Sequence, residues 1–351
     1  MNQTFQILIP FDADRGGAES LYQLVYFLKK FNTNVQIVFT LNWRSFFTRK
    51  KTKIPKSMMK YCNNVSIKNF LEDREDNIIF VPEIFTSYLR DIKYSKMNIC
   101  WLSVNNYFVA KKQFNENLKW IIRGKYGIGT IIHSHFKKPL TIKEINQKNI
   151  NHIAQSNYAK RFIKSNFGKK PILIFDFIDD IPKINKSFFN LSLRDKSIVY
   201  NPVKGYKITK KIIEKYKSHY NFIPIKNMEH IEVRKLLKNS FLYIDFGEHP
   251  GRDRIPREAI LCGCCVITGY RGSSALYDVP INKKFKLFED ENFLENFRIL
   301  ISELETKIDC SEFFLDAYNQ LLKDKENLMN QVESYLNSLK KYKIGDIKNE
   351  K

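Results

Sequence analysis

The stretch FQILIPFDADRGGAESLYQLVYFL, residues 5–28, carries the reading that decides the fold. Residues 5–10 form a short apolar run, as expected of a parallel strand buried on both faces. After a polar turn, Ala18, Leu21, Leu24, Val25 and Leu28 recur at helical spacing, so strand, loop and helix follow one another. The pattern repeats outward from there. Further apolar runs fall at residues 35–39, 78–81, 99–102, 131–132, 152–154 and 172–175, most of them separated by helix-length stretches. Parallel strands need crossover connections, so this alternation predicts a doubly wound, largely parallel sheet.

Polar residues 181–187 interrupt the pattern, and a second series then begins. Strands are expected at 197–200, 222–225, 242–245 and 266–268, with helices near 209–216, 229–238 and 256–261. The predicted architecture is α/β, with two Rossmann-like doubly wound domains facing across a cleft: residues 1–180 and 196–310, joined by a linker at 181–195. Residues 291–304 and 311–342 read as charged helices, the latter with an apolar stripe through Phe314, Tyr318, Leu321, Leu322, Leu328, Met329, Val332, Leu336 and Leu339. The stripe predicts a C-terminal helix, residues 311–345, packed across the domains; a coiled-coil seam between two copies is the alternative.

A chain of 351 residues is longer than one core usually serves, in keeping with two domains. Hydrophobic residues at 43% and aromatics at 14% exclude a disordered chain. Six cysteines are too few for a disulfide scaffold. Cys262 and Cys265 form a C-x-x-C, but they straddle a predicted helix end and strand start, away from the positive helix N-terminus that a redox thiolate uses, so a structural role is expected. The sequence has no apolar run of about 18 residues, and residues 1–10 lack the pattern of a secretion signal. The cytoplasm is the expected compartment. The net charge of +22 calls for a polyanionic partner, which could be nucleic acid, anionic lipid or nucleotide phosphate. No helix-turn-helix, zinc module or aromatic RNA-binding signature is visible, so nucleic acid rests on charge alone and is set aside. Residues 43–56 set Arg44, Arg49, Lys50, Lys51, Lys53 and Lys56 beside Trp43, Phe46 and Phe47. That mixture suits peripheral contact with an anionic inner membrane face; a solvated basic loop is the alternative.

Ligands of open α/β sheets bind at the carboxyl ends of the strands, so the loops there carry most weight. Gly16 and Gly17 precede the first helix, where they permit close backbone approach by a phosphate or sugar at the helix N-terminus. Asp12 and Asp14 share that loop with an anion site and read as polar loop residues; no metal is expected. After the first strand of the second series, Asn201-Pro-Val-Lys204-Gly205 aims a cation at the cleft, where Lys204 would neutralise a diphosphate leaving group as a metal ion does elsewhere. The third segment, residues 246–274, sets Glu248, His249, Arg252, Asp253, Arg254, Arg257 and Glu258 in a Gly/Pro-bounded loop and helix start. It returns through a strand to the turn Gly272-Ser273-Ser274. A purely structural loop has little use for that density of charge beside an apolar helix.

At these residues the sequence resembles the retaining GT-B glycosyltransferases of the large family four type. The motifs that carry the resemblance are Gly16-Gly-Ala-Glu19, Lys204-Gly205, and Arg257-Glu-Ala through Ile267-Thr268 to Gly272. Pro82-Glu83, Trp101-Leu-Ser-Val-Asn105-Asn, Gln155-Ser-Asn-Tyr-Ala-Lys160 and the segment from Asp245 to Ala259 are similar to a branch found in capsule and lipopolysaccharide clusters. The resemblance implies that Gly16 and Gly17 approach the donor, Lys204 binds the diphosphate, Glu258 takes the ribose hydroxyls and the turn 272–274 donates amides to the phosphates. It implies a nucleotide diphosphate sugar donor, a glycan or lipid-linked glycan acceptor and no cofactor. Two positions depart from the pattern. Pro250 stands where the family places a second glutamate, with Glu248, His249 and Asp253 as candidates to take its part, and Asn201 stands near the usual arginine.

Retention needs no covalent intermediate, because leaving phosphate oxygens can take the acceptor's proton on the same face. Inversion needs a base, for which Glu83, His133 and His135 are the candidates; with Asn105 they make up the expected acceptor side. A noncatalytic GT-B partner subunit and a nucleotide-sugar epimerase are the competing readings.

Overall fold

The computed structural model describes residues 3–11, 13, 16–40, 53–110, 112, 138–179, 181 and 189–349. Asp12, Asp14, His133, His135, the expected strand at 131–132 and the basic segment up to residue 52 lie outside them.

Among the described residues, seven parallel strands make the first sheet: β1 (Thr4–Ile9), β2 (Asn34–Phe39), β3 (Ser66–Lys68), β4 (Asn77–Pro82), β5 (Lys96–Trp101), β6 (Ile150–Ala154) and β7 (Ile172–Leu173). They lie in the order β3-β2-β1-β4-β5-β6-β7. The central strands are apolar runs buried on both faces, as a sheet covered by crossover helices requires. The second sheet has five parallel strands, β8 (Asp195–Tyr200), β9 (Asn221–Pro224), β10 (Ser240–Asp245), β11 (Cys265–Gly269) and β12 (Lys286–Leu287), in the order β12-β11-β10-β8-β9. The short strands β3 and β12 have no counterpart among the expected runs. Ser66-Ile-Lys68 is mostly exposed at a sheet edge, and β12 is two residues long, so neither offers an apolar run to read.

The chain divides into two compact units. One comprises Met1–Asp176 with Glu326–Lys351, and the other Phe177–Lys325. The expected single helix over 311–342 is two, Ser311–Leu322 and Asp324–Asn349. The first buries Phe314, Ala317, Tyr318 and Leu321 in the core of the second unit. The second continues into the first unit, where Leu328, Val332, Tyr335 and Leu339 are buried. Six of the nine stripe residues are thus buried within the chain, while Met329 and Leu336 are half-buried and Leu322 is exposed. Two polar contacts fix the register: Gln331 Oε1 accepts from the Phe175 amide at 2.7 Å, and the Tyr335 hydroxyl donates to Asn98 Oδ1 at 3.1 Å in the interior. All six cysteines are free and buried, and burial pushes the Cys262 thiol up to about 11, the state of a structural thiol.

Replacing Tyr335 with Phe removes the donor and leaves Asn98 Oδ1 buried without it. Such a loss costs roughly 1–2 kcal/mol, to be read as a lower urea midpoint of the first unit. Ile299→Ala, at a half-exposed helix position, should stay within about 0.5 kcal/mol of the parent.

Candidate functional site

Each sheet reverses its strand succession at one point, with β1 beside β4 in the first and β8 beside β10 in the second. At such a point neighbouring crossovers leave for opposite faces and open a crevice outside the carboxyl ends of the strands. Every described candidate side chain lies on a segment leaving β1, β4, β5, β8, β10 or β11.

In the second unit, backbone contact between the β8 and β10 loops sets the geometry. Gly205 adopts φ +64° and starts the helix Tyr206–Tyr216; a Cβ there would fall on the backbone of Phe246 and Gly247. A Cβ on Gly247 would stand 2.6 Å from Lys204 Cβ. Both positions therefore need glycine for the loops to touch. Asn201 Oδ1 accepts from the amides of Val203 at 2.9 Å and Lys204 at 3.3 Å, so this side chain shapes the loop. Lys204 Nζ then stands 2.9 Å from Asp253 Oδ2.

A buried chain of charge continues behind that pair. His249 is fully buried, with Nδ1 3.1 Å from Asp253 Oδ2 and Nε2 3.7 Å from Asp245 Oδ1, neither aligned as a hydrogen bond. Asp245 accepts from the Tyr243 hydroxyl and the Gly247 amide, both at 2.9 Å. Burial alone favours a neutral imidazole, yet the Asp253 and Asp245 carboxylates outweigh it and hold the His249 pKa above its ordinary value. Burial likewise raises Asp253, but His249 and Lys204 overcome that and keep its carboxyl below the usual range. One ligand atom each from Asp245, His249 and Asp253 lie within 4.8 Å of one another, a spacing that could hold a small cation. Protein groups already balance the charge there, because the Lys204 ammonium stands on Asp253 and both Asp245 oxygens accept hydrogen bonds.

Glu258, on the helix Arg254–Leu261, is 2% exposed. Its Oε1 lies 2.8 Å from His230 Nε2 and 3.6 Å from an Arg254 guanidinium nitrogen. Burial works to raise its pKa, and His230 and Arg254 together bring it below the ordinary carboxylate value. Arg257 is also fully buried, but it donates to the backbone carbonyls of Asp253 at 3.1 Å and Arg252 at 2.9 Å. It braces the loop from inside, which departs from the ligand contact expected of it. Arg252 grips Asp324 at 2.8 and 2.9 Å. Glu248 makes an exposed ion pair with Arg271 at 3.0 Å.

The turn after β11 packs against the same loop. A Cβ on Gly272, at φ +52°, would fall on the His249 carbonyl. The Ser273 amide donates to that carbonyl at 2.8 Å, and the Ser274 amide to Arg271 O at 3.1 Å. Two of the amides expected to meet phosphates are thus spent within the unit. The Ser274 hydroxyl donates to Thr268 Oγ1 at 2.6 Å. The Ser273 hydroxyl is buried with no hydrogen-bond partner among the described residues.

In the first unit, Gly16 caps the helix Gly17–Lys30 at φ 59°, and a Cβ on Gly17 would press within 3.1 Å of the Leu102 side chain. Glu83 Oε2 accepts from the Leu102 amide at 2.9 Å, which ties the ends of β4 and β5 together beneath Gly17. Asn105 Oδ1 accepts from the Tyr158 hydroxyl at 3.4 Å. Burial pushes the Glu83 pKa up to about 8 against the pull of the Leu102 and Ser103 amides. At 2% exposure Glu83 is an internal brace.

The structure therefore gathers Asn201, Lys204, Gly205, His249, Asp253 and Gly272–Ser274 at one set of strand ends, with Arg254 and Glu258 on the adjoining helix. Tyr243 and His230 join them, unforeseen from sequence, as does Asp245, which the sequence marked only as the start of a matching segment. Asp245 closes an apolar strand run. His230 follows β9 inside the Glu229/Glu232 capping box, a signal that reads as a helix start.

No family model matches the chain, and no curated protein is similar to it in sequence. Solved structures are similar to it along nearly its whole length. HepE of Anabaena, solved with UDP-glucose, superposes with a TM-score of 0.56 at 11% identity, over 95% of this chain and 99% of that one. A glycosyltransferase of Rickettsia africae gives 0.56 at 11%, over 97% and 98%. A TarM variant of S. aureus, solved with fondaparinux, α-GlcNAc-glycerol and UDP, gives 0.55 at 12%, over 96% and 98%. The fold is that of the GT-B glycosyltransferases: two Rossmann-like α/β units with C-terminal helices.

The unfolded Glu83 carboxyl ionises near 4.5 and the folded one near 8, so between those values the unfolded chain gives up a proton that the folded chain keeps. Stability of the first unit should fall as pH rises through that window. For Glu83→Gln the fall should be smaller, so the variant gains on the parent up to about pH 8, measured as unfolding midpoints across the range. Parallel curves would mean that Glu83 is already ionised in the fold.

Proposed function

We propose that the protein is a glycosyltransferase that moves a sugar from a nucleotide diphosphate donor to a surface glycan or lipid-linked glycan acceptor. The observation that carries this reading is Lys204: its ammonium sits at the switch point of the second sheet, on a loop that glycines press against the β10 loop, held by Asp253. A donor diphosphate brings negative charge into that place. Lys204 passes from Asp253 to a phosphate oxygen, and His249 stays on Asp253 so that no carboxylate is left unpaired. Glu258 takes the ribose hydroxyls, and the Ser273 hydroxyl is a further donor toward the phosphates.

In the transfer, the bond from the anomeric carbon to the β-phosphate oxygen breaks and its electrons go to the diphosphate. The acceptor oxygen bonds to that carbon, and its proton passes to the departing phosphate on the same face. Lys204 stabilises the charge that develops, so the step runs without a metal ion. Retention suits the site because the described base candidate, Glu83, is buried and tied to the Leu102 amide. GT-B structures solved with UDP-glucose and with UDP support a nucleotide-sugar donor. The net charge of +22, with Lys53, Lys56 and Lys60 exposed together, supports contact with an anionic membrane face in the cytoplasm. No helix among the described residues is long and apolar enough to cross a membrane.

A thermal-shift panel of UDP, GDP and TDP sugars should find one nucleotide class that raises the unfolding midpoint, and CMP sugars, which carry no diphosphate, should not. Lys204→Ala and Glu258→Ala should each abolish the shift, and sugar transfer should survive a chelator. No shift from any donor, or an undiminished shift in both variants, would refute the reading.

A further inference from the structure

We propose that a cleft on the second unit, between the helix Tyr206–Tyr216 and the segment that leaves β12, binds an acidic saccharide as an accessory site for the acceptor glycan. This rests on the glycosyltransferase reading above and adds the chemical class of the acceptor.

The cleft has a volume of about 360 Å³, within the range of roughly 300–1,000 Å³ that small-ligand sites occupy. Its apolar lining includes Phe246 and Phe293, both buried and packed edge to face at 5.0 Å between ring centroids. From the helix Tyr206–Tyr216 come Lys207 and Lys211, one turn apart. Both are exposed, and neither makes an ion pair or hydrogen bond among the described residues. Their placement works against the helix that carries them. Like charges at i,i+4 repel, cations near a helix N-terminus oppose its dipole, and no acidic residue stands in the first turn to offset them. An anion bound by the two lysines relieves both conflicts.

The other charged groups of the lining do not answer the lysines. Glu248 and Glu289 hold Arg271 at 3.0 and 2.5 Å, and Asp290 Oδ1 accepts from the Asn292 amide at 3.0 Å. Glu289 Oε1 has no hydrogen-bond partner among the described residues, and Glu248 and Asp290 are exposed. Ionised carboxylates only accept, so these groups suit hydroxyl donors and repel a bare phosphate. The ligand that fits therefore carries an anionic group for the lysines, hydroxyls for the carboxylates and a C–H face for the phenylalanines. An acidic sugar residue has all three. An anionic membrane is a poorer match, because the three cations of the lining meet three carboxylates and leave no net attractive charge. Gly205 and Glu248 adjoin Lys204 and His249 in the chain, so a glycan held here lies beside the loops of the donor site.

The test is isothermal titration of the full-length protein, without nucleotide, with oligosaccharides of galacturonic acid, sialic acid and hyaluronan, with neutral maltohexaose and with inorganic phosphate. At least one acidic oligosaccharide should bind about tenfold or more tighter than maltohexaose, and inorganic phosphate should not displace it. Lys207→Ala combined with Lys211→Ala should weaken that binding about tenfold or more. Lys210→Ala combined with Lys215→Ala removes the same charge from the same helix outside the cleft, and should change it by less than about threefold. Failure of every acidic oligosaccharide to bind, equal binding of maltohexaose, or equal weakening by the two double variants overturns the proposal. Phosphatidylglycerol vesicles that hold the parent but release the Lys207→Ala, Lys211→Ala protein, with saccharide binding undiminished, would assign the lysines to a lipid surface and overturn it as well. The donor reading is tested separately by the thermal shift with nucleotide sugars. It stands if that shift is seen while the saccharides fail, and both readings fall if neither is seen.

Discussion

The contact between Lys204 and Asp253 depends on the rest of the second unit being as it is. A lysine 2.9 Å from a mostly buried carboxylate normally closes an account of charge, and there would be nothing left to do. Here the carboxylate has a second neighbour, His249, with no exposed surface, whose pKa the Asp253 and Asp245 carboxylates hold above its ordinary value. Asp245, braced by the Tyr243 hydroxyl, backs the imidazole in turn. The ammonium is therefore the exchangeable member of the set. It is the most exposed group, and the carboxylate it would leave keeps a partner. In the proposed reading a donor phosphate takes the lysine, and Asp253 keeps His249 beside it.

That arrangement explains why the loops around it are so closely specified. Gly205 and Gly247 let the β8 and β10 loops touch backbone to backbone, and Gly272 brings the next turn onto the His249 carbonyl. Arg257 and the Arg252–Asp324 pair hold the intervening loop from within. Side chains that looked like ligand contacts from their charge alone are the scaffold of the ones that face outward.

Most of the architecture was legible in the sequence because buried parallel strands are continuous apolar runs, and those at residues 5–10, 78–81 and 242–245 announce themselves. What escaped was what periodicity does not encode. The edge strand β3 is polar, β12 is two residues long, and the break at Lys323 puts Asp324 against Arg252. In the site, glycines and charged residues within one segment were visible as a cluster, but their orientations were not. Whether Arg257 points in or out, or whether Ser273 spends its amide on His249, is decided by packing between distant loops. His230 lies 28 residues from Glu258, and no spacing rule joins them.

The central claim is that Lys204 exchanges Asp253 for a phosphate. A crystal structure with the nucleotide that stabilises the protein tests it most directly. The account predicts a phosphate oxygen at about hydrogen-bond distance from Lys204 Nζ, with Asp253 left on His249. Phosphates bound elsewhere, over an intact Lys204–Asp253 pair, would contradict it.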